Sequence, residues 1–332
     1  MATQRFHTPV IAVSGHSGSG KTSLIERLTA RLIERGLRVA VVKHCTHRIE
    51  ADTAGKDSDR LFRAGADVLA AGPSEAFARC HVPDMPLPEA VRRVAAGCDV
   101  CFAEGYRGSD LPRIWVGASE EACAEGVLLT VTDVAEQVDA AESAVWEYLE
   151  RAHRELPAVG LILMGAPASR PGSPAGQSVM KRLIGALAPH TERVFAATDG
   201  PLPAELAEVP RMEGAPGAKG PVAHLLSATR WRPDARWVVL SPDLLPADAS
   251  AVEWLLSQIA LGKDAVMPRR GSEAPCEPLF AVYEPTCRPH LEGAALRGVW
   301  SLRDALAGAR VAEPLAPPAL REFWTRPESP GR

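Results

Sequence analysis

Apolar residues along this chain come in two rhythms. Short uninterrupted runs, Val10–Val13, Val39–Val42, Val68–Ala71, Val100–Ala103, Ile114–Val116 and Leu128–Val131, predict strands of an α/β parallel sheet. Between them the apolar positions recur at helical spacing, as at Leu24, Ile25, Leu28, Leu32 and Ile33, with Gly36 where a helix would stop. A last helix, about Ala135 to Arg154, closes a first domain at residues 1–154, and Glu155-Leu156-Pro157 reads as a linker. The pattern restarts at Gly160-Leu161-Ile162-Leu163. Further strands are predicted at Val194–Ala197, Trp237–Leu240, Ala265–Met267 and Leu279–Tyr283, giving a second domain at residues 158–313. The proline-rich stretch from Pro314 to Arg332 predicts a loosely ordered tail.

The loop after the first run carries the strongest chemical signal. Gly15-His16-Ser17-Gly18-Ser19-Gly20-Lys21-Thr22 satisfies G-x-x-x-x-G-K-[ST], with a strand before it and a helix after it. Glycines at these points let successive backbone N–H groups turn inward around a phosphate, and the new helix adds its positive end. Lys21 is then the cation for the outer phosphates, the Thr22 hydroxyl a Mg²⁺ partner, and Ser23 the next helical N–H. The fold class that follows is a phosphate-loop NTPase sheet, with a second Rossmann-like α/β domain behind it.

Composition narrows the function. A formal net charge of −4 leaves no basic footprint for nucleic acid. No apolar run approaches the roughly 18 residues of a membrane span, and the first residues hold no signal-peptide core. The expectation is a cytoplasmic protein. Seven scattered cysteines make no disulfide framework, and Cys98-Asp99-Val100-Cys101 has metal-ligand spacing with no second pair to complete a site. Two reduced core cysteines are expected there.

Three polar clusters fall where strands of such a sheet end: Lys43-His44, Asp52-Thr53-Ala54-Gly55-Lys56-Asp57-Ser58, and Glu104-Gly105. Lys43 or Asp57 alone reads as a solvated loop charge. Glu104, an acid directly after a buried run, is suited to binding Mg²⁺ through water or to orienting an attacking water.

Together these segments resemble the MobB family of molybdopterin-guanine dinucleotide biosynthesis proteins over about residues 8–150. The likeness rests on Gly15 to Thr22, Gly36 to His44, Asp52 with Gly55-Lys56-Asp57-Ser58, Ala64-Gly65-Ala66, Glu104-Gly105-Tyr106-Arg107 and Pro112-Arg113-Ile114. Arg113 stands where the family more often has lysine. The resemblance implies GTP binding with at most slow hydrolysis, in support of the enzyme that attaches GMP to molybdopterin. It makes Gly15 to Thr22 the triphosphate cradle and Thr22 with Glu104 the Mg²⁺ neighbourhood. Lys43, His44, Asp52, Lys56 and Asp57 become second-tier residues. It also implies pairing of two copies through the phosphate-loop domain. Guanine preference comes from the resemblance alone, since the Asn-Lys-x-Asp base-reading motif is absent and Thr130-Val131-Thr132-Asp133 lacks its lysine.

Residues 158–310 look like the MobA family of molybdenum cofactor guanylyltransferases. The anchors are Leu163-Met164-Gly165, Ser169-Arg170-Pro171-Gly172, Gly220-Pro221, Ser241-Pro242-Asp243 and Glu277-Pro278-Leu279-Phe280. The family loop L-x-G-G-x-S-x-R-M-G-x-D-K departs here: Ala166 replaces its second glycine, Pro171 its methionine, and the aspartate-lysine stretch is missing. Proline at 171 and 174 removes two N–H donors, and no lysine remains to steady a leaving pyrophosphate. Lys181 and Lys219 are weak substitutes. Asp243 matches the family's metal-binding aspartate.

The expectation is a GTP-binding accessory protein whose transferase-like half is impaired and binds molybdopterin, a separate guanylyltransferase or a molybdoenzyme apoprotein. Two alternatives stay open: a bifunctional enzyme that still transfers GMP, and a phosphate-loop kinase acting on a small molecule.

Overall fold

The computed structural model describes residues 6–45, 49, 52–82, 84–118, 126–164, 174–202, 204–242 and 247–323. In chain order the first part contains β1 (Val10–Gly15), α1 (Lys21–Glu34), β2 (Val39–Lys43), α2 (Asp57–Arg63), β3 (Val68–Ala71), β4 (Ala76–Arg79), α3 (Leu87–Val94), β5 (Val100–Glu104), β6 (Arg113–Val116), β7 (Val127–Val131) and α4 (Val134–Arg154). Its sheet has the order β2-β5-β1-β6-β7, and every pairing is parallel. The central β1 is buried on both faces. Ile11 and Val13 pack with Leu24, Leu28, Val145 and Leu149 of α1 and α4, while Val10 packs with Val91 of α3 and Cys101. Two-sided burial explains why these strands are unbroken apolar runs instead of alternating ones.

One predicted strand is placed differently. Val68–Ala71 was expected in the parallel sheet, yet β3 pairs antiparallel with β4 as a separate two-stranded ribbon. The physical reason is burial: Leu69, Ala70 and Ala71 are exposed, so the run has no layer to cover it.

The second part contains β8 (Ala158–Leu163), α5 (Pro174–Leu187), β9 (Val194–Ala197), β10 (Arg211–Met212), α6 (Gly220–Trp231), β11 (Arg236–Leu240), α7 (Ala249–Ser257), β12 (Ala265–Val266), β13 (Phe280–Tyr283), α8 (Arg288–Leu296), α9 (Leu302–Ala305), β14 (Val311–Ala312) and α10 (Pro318–Phe323). The sheet order is β10-β9-β8-β11-β13-β12-β14, with β13 alone running against its neighbours. Trp237, Val239 and Leu161 face α6 and α8; Val238, Leu240 and Ile162 face α5 and α7. The stretch from Pro314, expected as a loose tail, is tied down as far as Phe323. Pro314 and Ala316 bond to the backbone of Arg269, Ala316 is fully buried, and α10 follows. Residues 324–332 lie outside the described set.

An ionic knot joins the two sheets. Arg310 donates to both carboxylate oxygens of Asp99 (2.6 and 3.1 Å), to Asp264 (2.9 Å) and to the Gly36 carbonyl (2.9 Å). Arg38 also reaches Asp264, which is wholly buried. Burial alone would raise the Asp264 carboxyl, but the Arg310 hydrogen bonds outweigh it and hold it below its ordinary value. Nearby, Arg236 and Glu284 form a buried pair (3.3 Å), with His153 at the end of α4 3.6 Å from the same carboxylate. Of the cysteines read as core, Cys101 is buried, its thiol pushed up to about 12 by desolvation, and Cys98 is half-buried.

Candidate phosphate-binding site

The loop from Gly15 to Gly20 has the backbone that its glycines permit. Gly15, Gly18 and Gly20 all have positive φ, at 146°, 75° and 95°. At Gly15 space is the tighter constraint, because a Cβ there would lie 2.2 Å from the Val116 carbonyl oxygen and 2.9 Å from Ser19 Oγ. Gly15→Ala is therefore expected to lower stability by about 2 kcal/mol and distort the loop, read as a lower urea midpoint together with lost nucleotide binding.

Gly20 is the N-cap of α1 and offers no side-chain acceptor, and the first turn holds no acid. The contrast with α4 is direct, since Asp133 there accepts from the Ala135 and Glu136 amides. The first-turn N–H groups of α1 have no intrahelical partner, so together with the helix dipole they make a seat for an anion. Lys21 lies over this seat with Nζ donating to the carbonyls of Gly15 (3.2 Å) and His16 (2.6 Å). His16 and Ser17 are exposed, His16 sitting edge-on to buried Trp115. The Oγ atoms of Ser14 and Ser19 are buried without a hydrogen-bond partner. Such an orphan hydroxyl beside the loop is a polar group in want of a ligand.

Beyond the loop, three side chains converge. Thr22 Oγ1 donates to Glu104 Oε1 at 3.0 Å, and Lys43 Nζ lies 3.1 Å from that oxygen and 3.4 Å from the Thr22 hydroxyl. Strand register explains the meeting: Lys43 and Glu104 are direct partners across β2 and β5, and Val13 partners Glu104 across β1. Glu104 is nearly buried, with Lys43 half-exposed as its countercharge. A hydroxyl and a carboxylate at the foot of an anion seat are the hard oxygen donors Mg²⁺ takes alongside phosphate and water. The residues therefore fit that ion.

His44 stays close, its amide bonded to the Glu104 carbonyl and its ring 5.4 Å from Tyr106. Asp52, Lys56 and Asp57 make their contacts elsewhere. Asp52 accepts from Ser58 and Arg79, Lys56 caps α2, and Asp57 is exposed near Arg60. Their cluster centres on Asp59, which sequence reading passed over. The Gly55 amide, then Arg63 and Arg79, hold the Asp59 carboxyl well below the usual carboxylate range. The i,i+4 spacing of Asp59 and Arg63 was the available signal. Arg113 proves to be a clamp, donating to the Arg107 carbonyl (2.7 Å) and to that of Ser109, and so fastening the loop after Glu104.

In the second domain, Gly165 to Ser173 and Asp243 lie outside the described residues. Lys181 is exposed on α5, and Lys219 is the N-cap of α6.

Two family models match the chain in separate segments. The model of the family "Molybdopterin guanine dinucleotide synthesis protein B" matches residues 10–135, and that of the "MobA-like NTP transferase domain" matches residues 160–311. A molybdopterin-guanine dinucleotide biosynthesis adapter protein of Haemophilus influenzae is 33% identical over 117 residues, 34% of this chain and 65% of that protein. A probable adapter protein of the same name from Bacillus subtilis is 33% identical over 118 residues, 34% of this chain and 67% of that protein. The match to the Haemophilus relative thus spans just under two thirds of its length. Among solved structures, molybdopterin-guanine dinucleotide biosynthesis protein A from Archaeoglobus fulgidus is 20% identical with a TM-score of 0.39, covering 50% of this chain and 86% of that one. Over residues 10–135 the chain belongs to the MobB family, and residues 160–311 match the model of the MobA-like NTP transferase domain.

Proposed function

We propose that the first domain binds GTP with Mg²⁺ and that the chain serves as an accessory protein in making molybdopterin guanine dinucleotide. The observation that carries this reading is the uncapped start of α1, with Lys21 over it and the Thr22–Glu104 pair 3.0 Å apart below it. Amides of the loop and first turn bind the β-phosphate, Lys21 exchanges its loop carbonyls for phosphate oxygens, and Thr22 with Glu104 holds the ion. Mg²⁺ held there would neutralise phosphate charge. Lys43 balances the Glu104 charge, which leaves that carboxylate as a fixed anchor. The names of the adapter relatives support guanine as the base and dinucleotide biosynthesis as the setting.

The second domain, in this reading, binds and does not catalyse efficiently. Set against the loop of the family it resembles, its sequence lacks the aspartate-lysine stretch and has Ala166 and Pro171 in place of a glycine and a methionine. Molybdopterin, a separate guanylyltransferase or a molybdoenzyme apoprotein is its partner. Incubating the chain with GTP, Mg²⁺ and molybdopterin should release little pyrophosphate until a transferase with an intact loop is added. Robust release from the chain alone, lost in Asp243→Ala, would establish the bifunctional alternative.

The ion site has its own test. Glu104→Gln keeps the volume and removes the charge, so GTP affinity in millimolar Mg²⁺ should fall to near the value measured in EDTA. An unchanged gain from Mg²⁺ in the variant would exclude Glu104 from the metal neighbourhood.

A further inference from the structure

Cross-domain polar contacts among the described residues gather at one edge of each sheet. On the first sheet they come from Arg38 just before β2, Asp99 just before β5, the Gly36 carbonyl after α1, and His153 near the end of α4. These are starts of parallel strands and ends of the helices that return beside them. On the second sheet they come from Arg236 at the start of β11, Asp264 just before β12, Arg310 just before β14, and Glu284 just after the reversed β13. Those positions too are the strand-start edge. Packing follows the same line: a Cβ on Gly262 would meet Leu37 at 2.9 Å, and one on Gly97 would meet Pro289 at 2.9 Å. The two sheets stand end to end on their amino edges.

In parallel sheets, ligands bind beyond the carboxyl ends of the strands. The phosphate loop, Lys43 and Glu104 occupy that edge of the first sheet. On the second sheet it is marked by Leu163, Ala197 and Leu240, at the far ends of β8, β9 and β11. The two edges point away from each other. A cleft of about 1190 Å³ runs beside the junction and reaches His44 and Gly105, but on the second domain it meets Asp234, Leu261 to Lys263 and Glu284 to Thr286. It opens on strand starts there, and so offers no passage to the other carboxyl edge.

We propose that the two halves share no reaction chamber: a nucleotide gripped by the phosphate loop does not reach the carboxyl edge of the second sheet within one chain, and exchange between the two edges takes place only between molecules. This rests on the reading that the loop binds GTP. The ionic knot makes the separation durable. Arg310 alone ties Asp99, Asp264 and the Gly36 carbonyl, so a swing that brought the loop to the other edge would strip a buried carboxylate of a cation.

The test is a distance measured on the full chain. Spin labels attached through p-acetylphenylalanine at Thr132, after β7, and at Asp199, after β9, mark the two outer edges. Five residues of β7 and four of β9, at about 3.3 Å each, put the labels roughly 30 Å or more apart. A control pair at Arg35 and Lys263 spans the junction and should read a much shorter distance. Double electron–electron resonance should give the long outer distance with or without GTP·Mg²⁺. An outer distance as short as the control, or one that collapses on adding GTP·Mg²⁺, would overturn the proposal in favour of hand-off within one chain. If GTP fails to bind, the reading of the loop falls separately, and the nucleotide-free distance still decides the arrangement.

Discussion

Lys21→Ala should weaken GTP binding about thirtyfold or more while leaving the melting curve near that of the parent chain. The two halves of that expectation have different causes. In the free protein, among the described residues, the Lys21 ammonium bonds to the carbonyls of Gly15 and His16, a part-buried and an exposed contact within its own loop. Losing them removes little from folding, because neither acceptor is cut off from water. In the bound state the same ammonium faces a polyanion at a helix start. Truncating one partner of a charged hydrogen-bonded pair costs about 2–5 kcal/mol, and each 1.4 kcal/mol is tenfold in affinity. Titration of fluorescent GTP into both proteins reads the first effect, and circular dichroism on heating reads the second. Equal affinities would move the site away from this loop.

The second large effect is at the junction. Arg310→Ala should destabilise the chain by on the order of 3 kcal/mol, the scale for breaking a buried ion pair from one side. Asp99 loses the cation bound to both its oxygens, and Asp264, wholly buried, keeps Arg38 as its cation, with the backbone amide of residue 310, Thr286 and half-buried His290 beside it. The pH dependence has a definite sign. The Asp264 carboxyl is held below its ordinary value in the folded chain, so its contribution is present above the unfolded value of about 3.9. That contribution disappears as pH falls through the lower folded value. The gap between parent and variant should therefore be full at pH 7 and close as the solution is acidified below about pH 4. Urea midpoints measured across that range check both parts, and a gap that widens on acidification would contradict the ionic origin.

Much of this was legible in the residues, for reasons that also explain the rest. β1, β5 and β11 are buried on both faces, and an apolar run between polar breaks has few other readings. The phosphate loop was legible because its glycines are needed one by one, as the 2.2 Å approach at Gly15 illustrates. The meeting of Lys43 with Glu104 was half visible. Each stood at a strand end, but their pairing depends on β2 lying next to β5, which no local pattern encodes. The β3–β4 ribbon was misplaced because an apolar run of four residues looks the same whether or not a layer covers it. The ionic knot was illegible for a plainer reason. Arg38, Asp99, Asp264 and Arg310 are single charges more than 200 residues apart at their extremes, and only the docking of two sheets brings them together. The stretch after Pro314 went the same way, its order set by contact with Arg269 and not by its own composition.

An uncapped helix start and one lysine are proposed to hold a nucleoside triphosphate. Isothermal calorimetry of the parent chain with GTP in millimolar Mg²⁺ tests it most directly. Saturable heat at one site per chain, abolished in Lys21→Ala, is the expected result; no heat with GTP or any other nucleoside triphosphate would contradict it.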